Sequence, residues 1–174
     1  MRNLVAEAKA QYKELIEKAV NEAIAAGELP EGEIPKFNIE IPADNKNGDL
    51  ASNVAMVSAK AFRKGPRQIA DAIVSHICLD GTYFEKAEVA GPGFLNVFYA
   101  PHWFAETVSA VLTEKDNYGT GNMGEGKKVM VEFVSANPTG PMHMGNARGG
   151  AIGDGLAALL DMAGYDVTRE FYLN

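Results

Sequence analysis

The stretch Lys127–Asn174, KKVMVEFVSANPTGPMHMGNARGGAIGDGLAALLDMAGYDVTREFYLN, constrains the fold more than any other part of the chain. Val129, Val131 and Phe133 alternate with Met130, Glu132 and Val134, so both faces are apolar save for one carboxylate, as expected of a strand buried in a parallel sheet. The loop Ser135–Pro141 carries two prolines and a glycine that continue neither element. A helix is predicted from Gly145 or Asn146, burying Ile152, Leu156, Leu159, Leu160 and Ala163 at helical spacing and stopping at Gly164. Asp166–Leu173 reads as the next strand. Together these make one right-handed βαβ unit. Such units bind ligands outside the carboxyl ends of the strands, where a helix N-terminus offers unpaired N–H groups to a phosphate. That corner carries His143, Gly145 and Asn146. Gly145 would let a planar ligand approach the backbone closely. A histidine there can donate hydrogen bonds to oxygens that gain charge in a transition state.

The run Pro138-Thr139-Gly140-Pro141-Met142-His143-Met144-Gly145-Asn146 resembles the HIGH signature of class I aminoacyl-tRNA synthetases. The preceding Val131-Glu132-Phe133-Val134-Ser135-Ala136-Asn137 narrows the resemblance to arginyl-tRNA synthetases. Asn146 stands where the commonest form has histidine; its amide still donates a hydrogen bond but cannot be charged. The resemblance implies that His143, Gly145 and Asn146 contact ATP, with His143 and Asn146 acting on its phosphates during catalysis. It also implies that Ser135, Asn137 and Glu132 meet the arginine substrate, and that Mg²⁺ accompanies the ATP. From the residues alone, Ser135 and Asn137 equally suit a capping loop. The partner of Glu132 is equally open, between a cationic substrate and Arg148 or Arg169, because a carboxylate on an apolar strand is costly unless paired. Asp154 and Asp161 lie seven residues apart on the predicted helix, about 10 Å, too far for one ion, so no metal site is expected.

Composition narrows the function classes. With 174 residues, 47% of them hydrophobic, the chain can bury a core in one or two small domains. It has no apolar run long enough to span a membrane, and its charged N-terminus has no signal-peptide core; a cytoplasmic protein is expected. Cys78 is the single cysteine, which excludes an internal disulfide framework. Net charge is −7. Residues 1–116 carry 12 basic and 17 acidic groups and the remainder 4 and 6, so RNA binding would need a local patch. Lys60, Arg63, Lys64 and Arg67, with Lys46 nearby, are the candidates; an ordinary solvated helix end is the plain alternative.

Towards the N-terminus, residues 3–25 form an amphipathic helix with Leu4, Ala8, Tyr12, Leu15, Ile16, Ala19, Val20 and Ala23 in its stripe. Lys36–Ile41 alternates as a half-exposed strand. Gly48–Asn53 is expected to open a helix capped by Asp49 and facing inward through Leu50, Val54, Val57 and Ala61. Pro66–Ile77 is a further helix packing on Ile69, Ile73 and Ile77, with proline at its first turn. Phe84–Val89 and Phe94–Tyr99 read as paired strands joined by Ala90-Gly91-Pro92-Gly93. Pro101–Lys115 is a helix using Phe104, Val108, Val111 and Leu112. Asp116–Gly126 has four glycines and no periodicity, which suggests a linker at 117–126. His76 and His102 have no setting that suggests a role.

The expected architecture is therefore an α+β domain over 1–116, a small antiparallel sheet with helices, followed over 127–174 by the first βαβ unit of a Rossmann-type catalytic domain. Gly48-Asp49-Leu50-Ala51-Ser52-Asn53, Pro66-Arg67-Gln68-Ile69-Ala70 and Ala90-Gly91-Pro92-Gly93-Phe94-Leu95-Asn96 resemble the additional N-terminal domain of arginyl-tRNA synthetases, which contacts the D-loop corner of tRNA. The resemblance implies that Phe94 stacks on, and Asn96 hydrogen-bonds to, an unstacked base. From the pattern alone Phe94 is as readily a core residue, although it shares a strand face with Asn96. The implied activity is ligation of L-arginine to tRNA(Arg) through arginyl-adenylate, by a monomer. The chain carries no second ATP signature and no anticodon-binding part, so it is expected to be an inactive fragment of that enzyme. Two alternatives are a stand-alone RNA-binding module with a degenerate catalytic strand and a small HxGH-type nucleotidyltransferase, whose motif normally lies close to the N-terminus.

Overall fold

The computed structural model describes residues 3–172; Leu173, the end of the expected last strand, lies outside them. The described residues form two compact units, 3–113 and 114–172.

In the first unit, helix α1 (Leu4–Ala25) is capped by Asn3, whose side chain accepts a hydrogen bond from the Ala6 amide at 3.0 Å. Its stripe of Leu4, Ala8, Tyr12, Ile16, Ala19, Val20 and Ala23 is buried as the periodicity predicts. Four strands follow, β1 (Ile39–Glu40), β2 (Leu50–Ser52), β3 (Phe84–Ala90) and β4 (Phe94–Tyr99), all antiparallel in the order β1-β2-β4-β3. Helices α2 (Val54–Phe62) and α3 (Pro66–His76) pack with α1 on one face of this sheet, around Leu50, Leu95 and Val97. Helix α4 (Pro101–Glu114) follows β4. At the β3–β4 turn Gly93 has φ +132°, and a Cβ there would lie 2.9 Å from the Pro66 carbonyl, so only glycine lets the hairpin seat against the start of α3.

Four local expectations are corrected. Gly48–Asn53 does not open a helix: Leu50–Ser52 pairs between β1 and β4, with all three residues buried. Asp49 is no N-cap, and its carboxylate accepts from the Tyr99 amide at 2.7 Å. Non-local pairing overrides the local signal here. Because α2 starts at Val54, its inward face is Val54, Ser58 and Phe62, and Val57 and Ala61 point out. Regular pairing in the expected strand Lys36–Ile41 is confined to Ile39 and Glu40, and Ile41 is exposed. In α4, Phe104, Val108, Val111 and Leu112 are exposed, because Trp103 turns inward and stacks on Tyr99 at 3.9 Å and 5°.

The second unit is a parallel pair, β5 (Lys128–Glu132) and β6 (Asp166–Glu170), in register Lys128↔Asp166 to Glu132↔Glu170 and crossed by helix α5 (Met144–Met162). Residues 121–126 lie along the end of α5: the Gly121, Gly124 and Gly126 amides donate to the carbonyls of Met162, Ala163 and Gly164. The helix presses on the sheet through small residues. Gly153 and Ala157 are buried, and a Cβ on Gly153 would sit 2.3 Å from the Phe133 ring. That close approach turns the large side chains away, so Ile152, Leu156 and Leu159, expected to be buried, are exposed.

Tyr12 donates its hydroxyl to the Leu95 carbonyl at 2.9 Å inside the first unit, and burial raises its phenol well above the ordinary range. Tyr12→Phe is expected to lower the stability of this unit by about 1–2 kcal/mol in urea unfolding, the cost of a buried acceptor losing its donor. Tyr99 is pushed up from 10.0 to about 12, first by burial and then by the Asp49 carboxylate. The folded state therefore holds the Tyr99 proton more tightly than the unfolded chain does. Its contribution is complete below the unfolded value of 10.0 and is lost as pH rises towards about 12. Urea midpoints measured across that window should fall, and should fall less steeply in Tyr99→Phe.

Candidate functional site

Two cavities, one in each unit, hold five of the residues that sequence motifs single out, His143, Asn146 and Asn137 in one and Phe94 and Asn96 in the other; Glu132, Ser135 and Gly145 line neither. In the second unit the chain leaves β5 and turns at Val134, whose φ of +65° is uncommon for a β-branched residue. A Cβ on Gly150 of α5 would lie 3.1 Å from the Val134 side chain, so the bare helix face accommodates this turn. The loop then runs to His143, which caps α5. His143 Nδ1 accepts from the Gly145 amide at 3.0 Å, and Asn146 Oδ1 accepts from the His143 amide at 3.1 Å, a reciprocal box that satisfies two amides at the helix start. Both side chains line a cavity of about 250 Å³ with Asn137, Thr139, Gly140 and Met142.

This capping fixes which atoms are left for chemistry. With Nδ1 accepting, the neutral imidazole carries its proton on Nε2, so His143 has a donor to spare. With Oδ1 engaged, the Asn146 amide nitrogen likewise remains a donor. The corner therefore presents donors above a helix N-terminus, an arrangement suited to phosphate oxygens. Gly145 also serves the cap: a Cβ there would come within 2.7 Å of the His143 ring and crowd it against the Gly145 amide.

The neighbouring residues behave differently. Ser135 Oγ accepts from the Tyr172 amide at 2.9 Å, so this hydroxyl ties the loop to the residues after β6. Asn137 lines the cavity and its carbonyl accepts from the Thr139 amide. Glu132 is exposed at the end of β5. Of the two arginines considered for it, Arg169 pairs instead with Asp154, Nε to Oδ1 at 3.2 Å. Asp154 and Asp161 are both exposed, and no group of three metal-ligating side chains occurs among the described residues.

In the first unit the face of the sheet opposite the core carries a second cavity, about 280 Å³, lined by Glu40, Pro42, Asn47, Ala51, Phe94 and Asn96 among others. Along β4, Leu95 and Val97 face the core, and Phe94 and Asn96 alternate to the other side. Phe94 is half-buried; Asn96 is 2% exposed, and its Oδ1 has no hydrogen-bond partner among the described residues. A buried polar atom is costly unless a partner meets it. Of the candidate basic patch, Arg67 alone touches a residue that lines the cavity. Arg67 Nη1 donates to the carbonyl of Gly91, a lining residue, at 3.3 Å, and its Nε lies 3.6 Å from Asp71, whereas Lys64 reaches the Glu28 carbonyl. His76 lies 3.4 Å from Glu28 and His102 beside the Tyr83 ring, both away from the lining residues. Sequence reasoning passed over Glu40 and Ala51, which only strand register brings beside Asn96.

Comparison with known proteins adds the following. The family described as "Arginyl tRNA synthetase N terminal domain" matches residues 10–99, and "tRNA synthetases class I (R), catalytic domain" matches residues 107–174. A curated arginine–tRNA ligase of Ruminiclostridium cellulolyticum is 52% identical over 100% of this chain, and that of Acetivibrio thermocellus is 49% identical over 100%. This chain spans 31% of the length of each. The crystal structure of arginyl-tRNA synthetase from Plasmodium falciparum is 18% identical, covers 94% of this chain with 30% of its own, and has a TM-score of 0.56, a likeness of fold.

The capping box makes a local prediction. Asn146→Ala removes the acceptor of the His143 amide, and loss of such a cap costs about 1 kcal/mol. Amide hydrogen exchange at His143 should accelerate roughly fivefold or more, with exchange in the last turn of α5 unchanged.

Proposed function

Since this chain belongs to the arginyl-tRNA synthetase family, we propose that it supplies the tRNA-recognising and part of the ATP-binding surface of an enzyme that joins L-arginine to tRNA(Arg). In this reading residues 1–116 meet the D-loop corner of the tRNA, 117–126 connect the two parts, and 127–174 begin the catalytic domain. The observation that carries the reading is the capped start of α5, where His143 and Asn146 each keep a donor free over one cavity.

The first step is attack by the arginine carboxylate on the α-phosphate of ATP, giving arginyl-adenylate and pyrophosphate. In the second, the terminal ribose hydroxyl of the tRNA takes the arginyl group. His143 Nε2 and the Asn146 amide would donate to phosphate oxygens as charge builds on them, and the α5 N-terminus would add its partial positive charge. Gly145 would make room for the nucleotide and keep the His143 ring seated. Ser135, Asn137 and Glu132 would meet the amino acid, Glu132 through its exposed carboxylate and the arginine guanidinium. Mg²⁺ would arrive with the ATP phosphates. Phe94 would stack on a base of the tRNA while Asn96 supplied a hydrogen bond to its edge. The enzyme would work as a cytoplasmic monomer; among the described residues no helix is long and apolar enough to cross a membrane.

Aminoacylation of tRNA(Arg) with arginine by the complete gene product tests this. His143→Ala should lower kcat by roughly 10²-fold or more, the scale for losing one transition-state donor. Failure of the wild type to charge tRNA with arginine would overturn the reading.

A further inference from the structure

We infer that Val134 and Gly150 are a positioning pair for the arginine site: the Val134 side chain, seated on the bare helix at Gly150, aims Ser135 and Asn137 at the amino acid. The inference rests on the reading that Ser135 and Asn137 meet arginine, and adds to it two residues that touch no substrate.

Strand geometry sets the problem. Successive side chains of a strand point to opposite faces of the sheet, so only every second one can meet a helix packed on one face. Phe133 already does: a Cβ on Gly153 would lie 2.3 Å from its ring. Val134, the next residue, meets the same helix, because a Cβ on Gly150 would lie 3.1 Å from its Cγ2. Gly150 and Gly153 are neighbours along one face of α5, so two consecutive residues are received by two glycines in line. No continuing strand can do this. The chain does it by taking Val134 to φ +65°. Four non-glycine residues among those described have positive φ, Arg63, Lys115, Glu125 and Val134, and only Val134 is β-branched. A β-branched residue is strongly disfavoured in this conformation, which persists only where the surroundings over-determine it.

The surroundings do so on both sides. Just before Val134, the Phe133 amide donates to the Glu170 carbonyl at 3.1 Å. Just after it, Ser135 Oγ accepts from the Tyr172 amide at 2.9 Å. Both anchors join the exit of β5 to the chain at the end of β6, which leaves Val134 as the residue where the path turns. Asn137, two residues beyond Ser135, lines the cavity at the start of α5. His143 and Asn146 are fixed differently, by hydrogen bonds confined to the first turn of that helix. A shift at Val134 is therefore felt at Ser135 and Asn137, which follow it directly, and is absorbed by the loop before it reaches the capped residues. That separation decides which substrate notices the pair: arginine rather than ATP.

The test is a double-mutant cycle on the complete gene product, charging tRNA(Arg) with arginine and ATP varied separately. Gly150→Ala crowds the Val134 side chain while replacing a helical glycine with a better helix former, so thermal unfolding should be unchanged or higher. It should raise KM for arginine roughly tenfold, within the range of coupling for residues in contact, and leave kcat and KM for ATP within about threefold. Val134→Ala removes Cγ2, the atom that a Cβ at residue 150 would crowd. In that background the same Gly150→Ala change should alter KM for arginine by no more than about threefold. An equal rise in both backgrounds, or a rise confined to KM for ATP, would overturn the pair. If Gly150→Ala leaves KM for arginine at its wild-type value while Asn137→Ala raises it, the inference falls and the arginine-contact reading stands. If neither Ser135→Ala nor Asn137→Ala moves KM for arginine, that reading falls, and this inference with it.

Discussion

The alternation of strand β4 is the constraint on which the first unit depends. Leu95 and Val97 go into the core with Leu50, Ile16 and Ile69, so Phe94, Asn96 and Phe98 must face the other way. A slip of one residue would exchange the two sets, burying an amide in the core and exposing two core residues. Three contacts hold the register. Tyr12 of α1 ties down the Leu95 carbonyl, Asp49 accepts from the Tyr99 amide, and Tyr99 is stacked between Phe84 and Trp103. The candidate base pocket is thus the reverse side of the hydrophobic core, set by the same pairing.

In the second unit small residues set the approach of helix to sheet. Gly153 and Ala157 bring α5 down on β5 and β6, and Val134 and Gly150 shape the exit from β5. The loop is then delivered to a helix start where His143 and Asn146 cap each other's amides. The same hydrogen bonds that build the cap select which nitrogen of each side chain is free, so local folding and the proposed chemistry share their atoms. Asparagine suits residue 146 in this cap: its carbonyl oxygen accepts from the His143 amide while its NH₂ stays available.

Much of this was legible in local signals. The stripe of α1, the proline at the start of α3, the hairpin around Ala90-Gly91-Pro92-Gly93 and the end of α5 at Gly164 all rest on periodicity or punctuation within a few residues. What was not legible depends on distant partners. Leu50–Ser52 becomes a strand because β1 and β4 lie on either side of it, and nothing in Gly48–Asn53 announces that. The inward faces of α4 and α5 are chosen by Trp103 stacking on Tyr99 and by Gly153 meeting Phe133, so the apolar stripes read from spacing point outward. At the sites, His143, Gly145 and Asn146 could be placed from the motif, but their reciprocal caps could not. The row of Glu40, Ala51 and Asn96 joins residues 40, 51 and 96 through two strand pairings, a relation no short window contains.

The central claim is that the outer face of the four-stranded sheet, at Phe94 and Asn96, receives a base of tRNA. The most direct measurement places a photo-crosslinking phenylalanine analogue at residue 94, irradiates the complex with tRNA(Arg), and maps the attached nucleotide by primer extension. The account predicts a single strong crosslink to an unpaired D-loop base, competed away by unlabelled tRNA(Arg). Crosslinks scattered over the tRNA, or none above the level given by the analogue at Lys13 of α1, would contradict it.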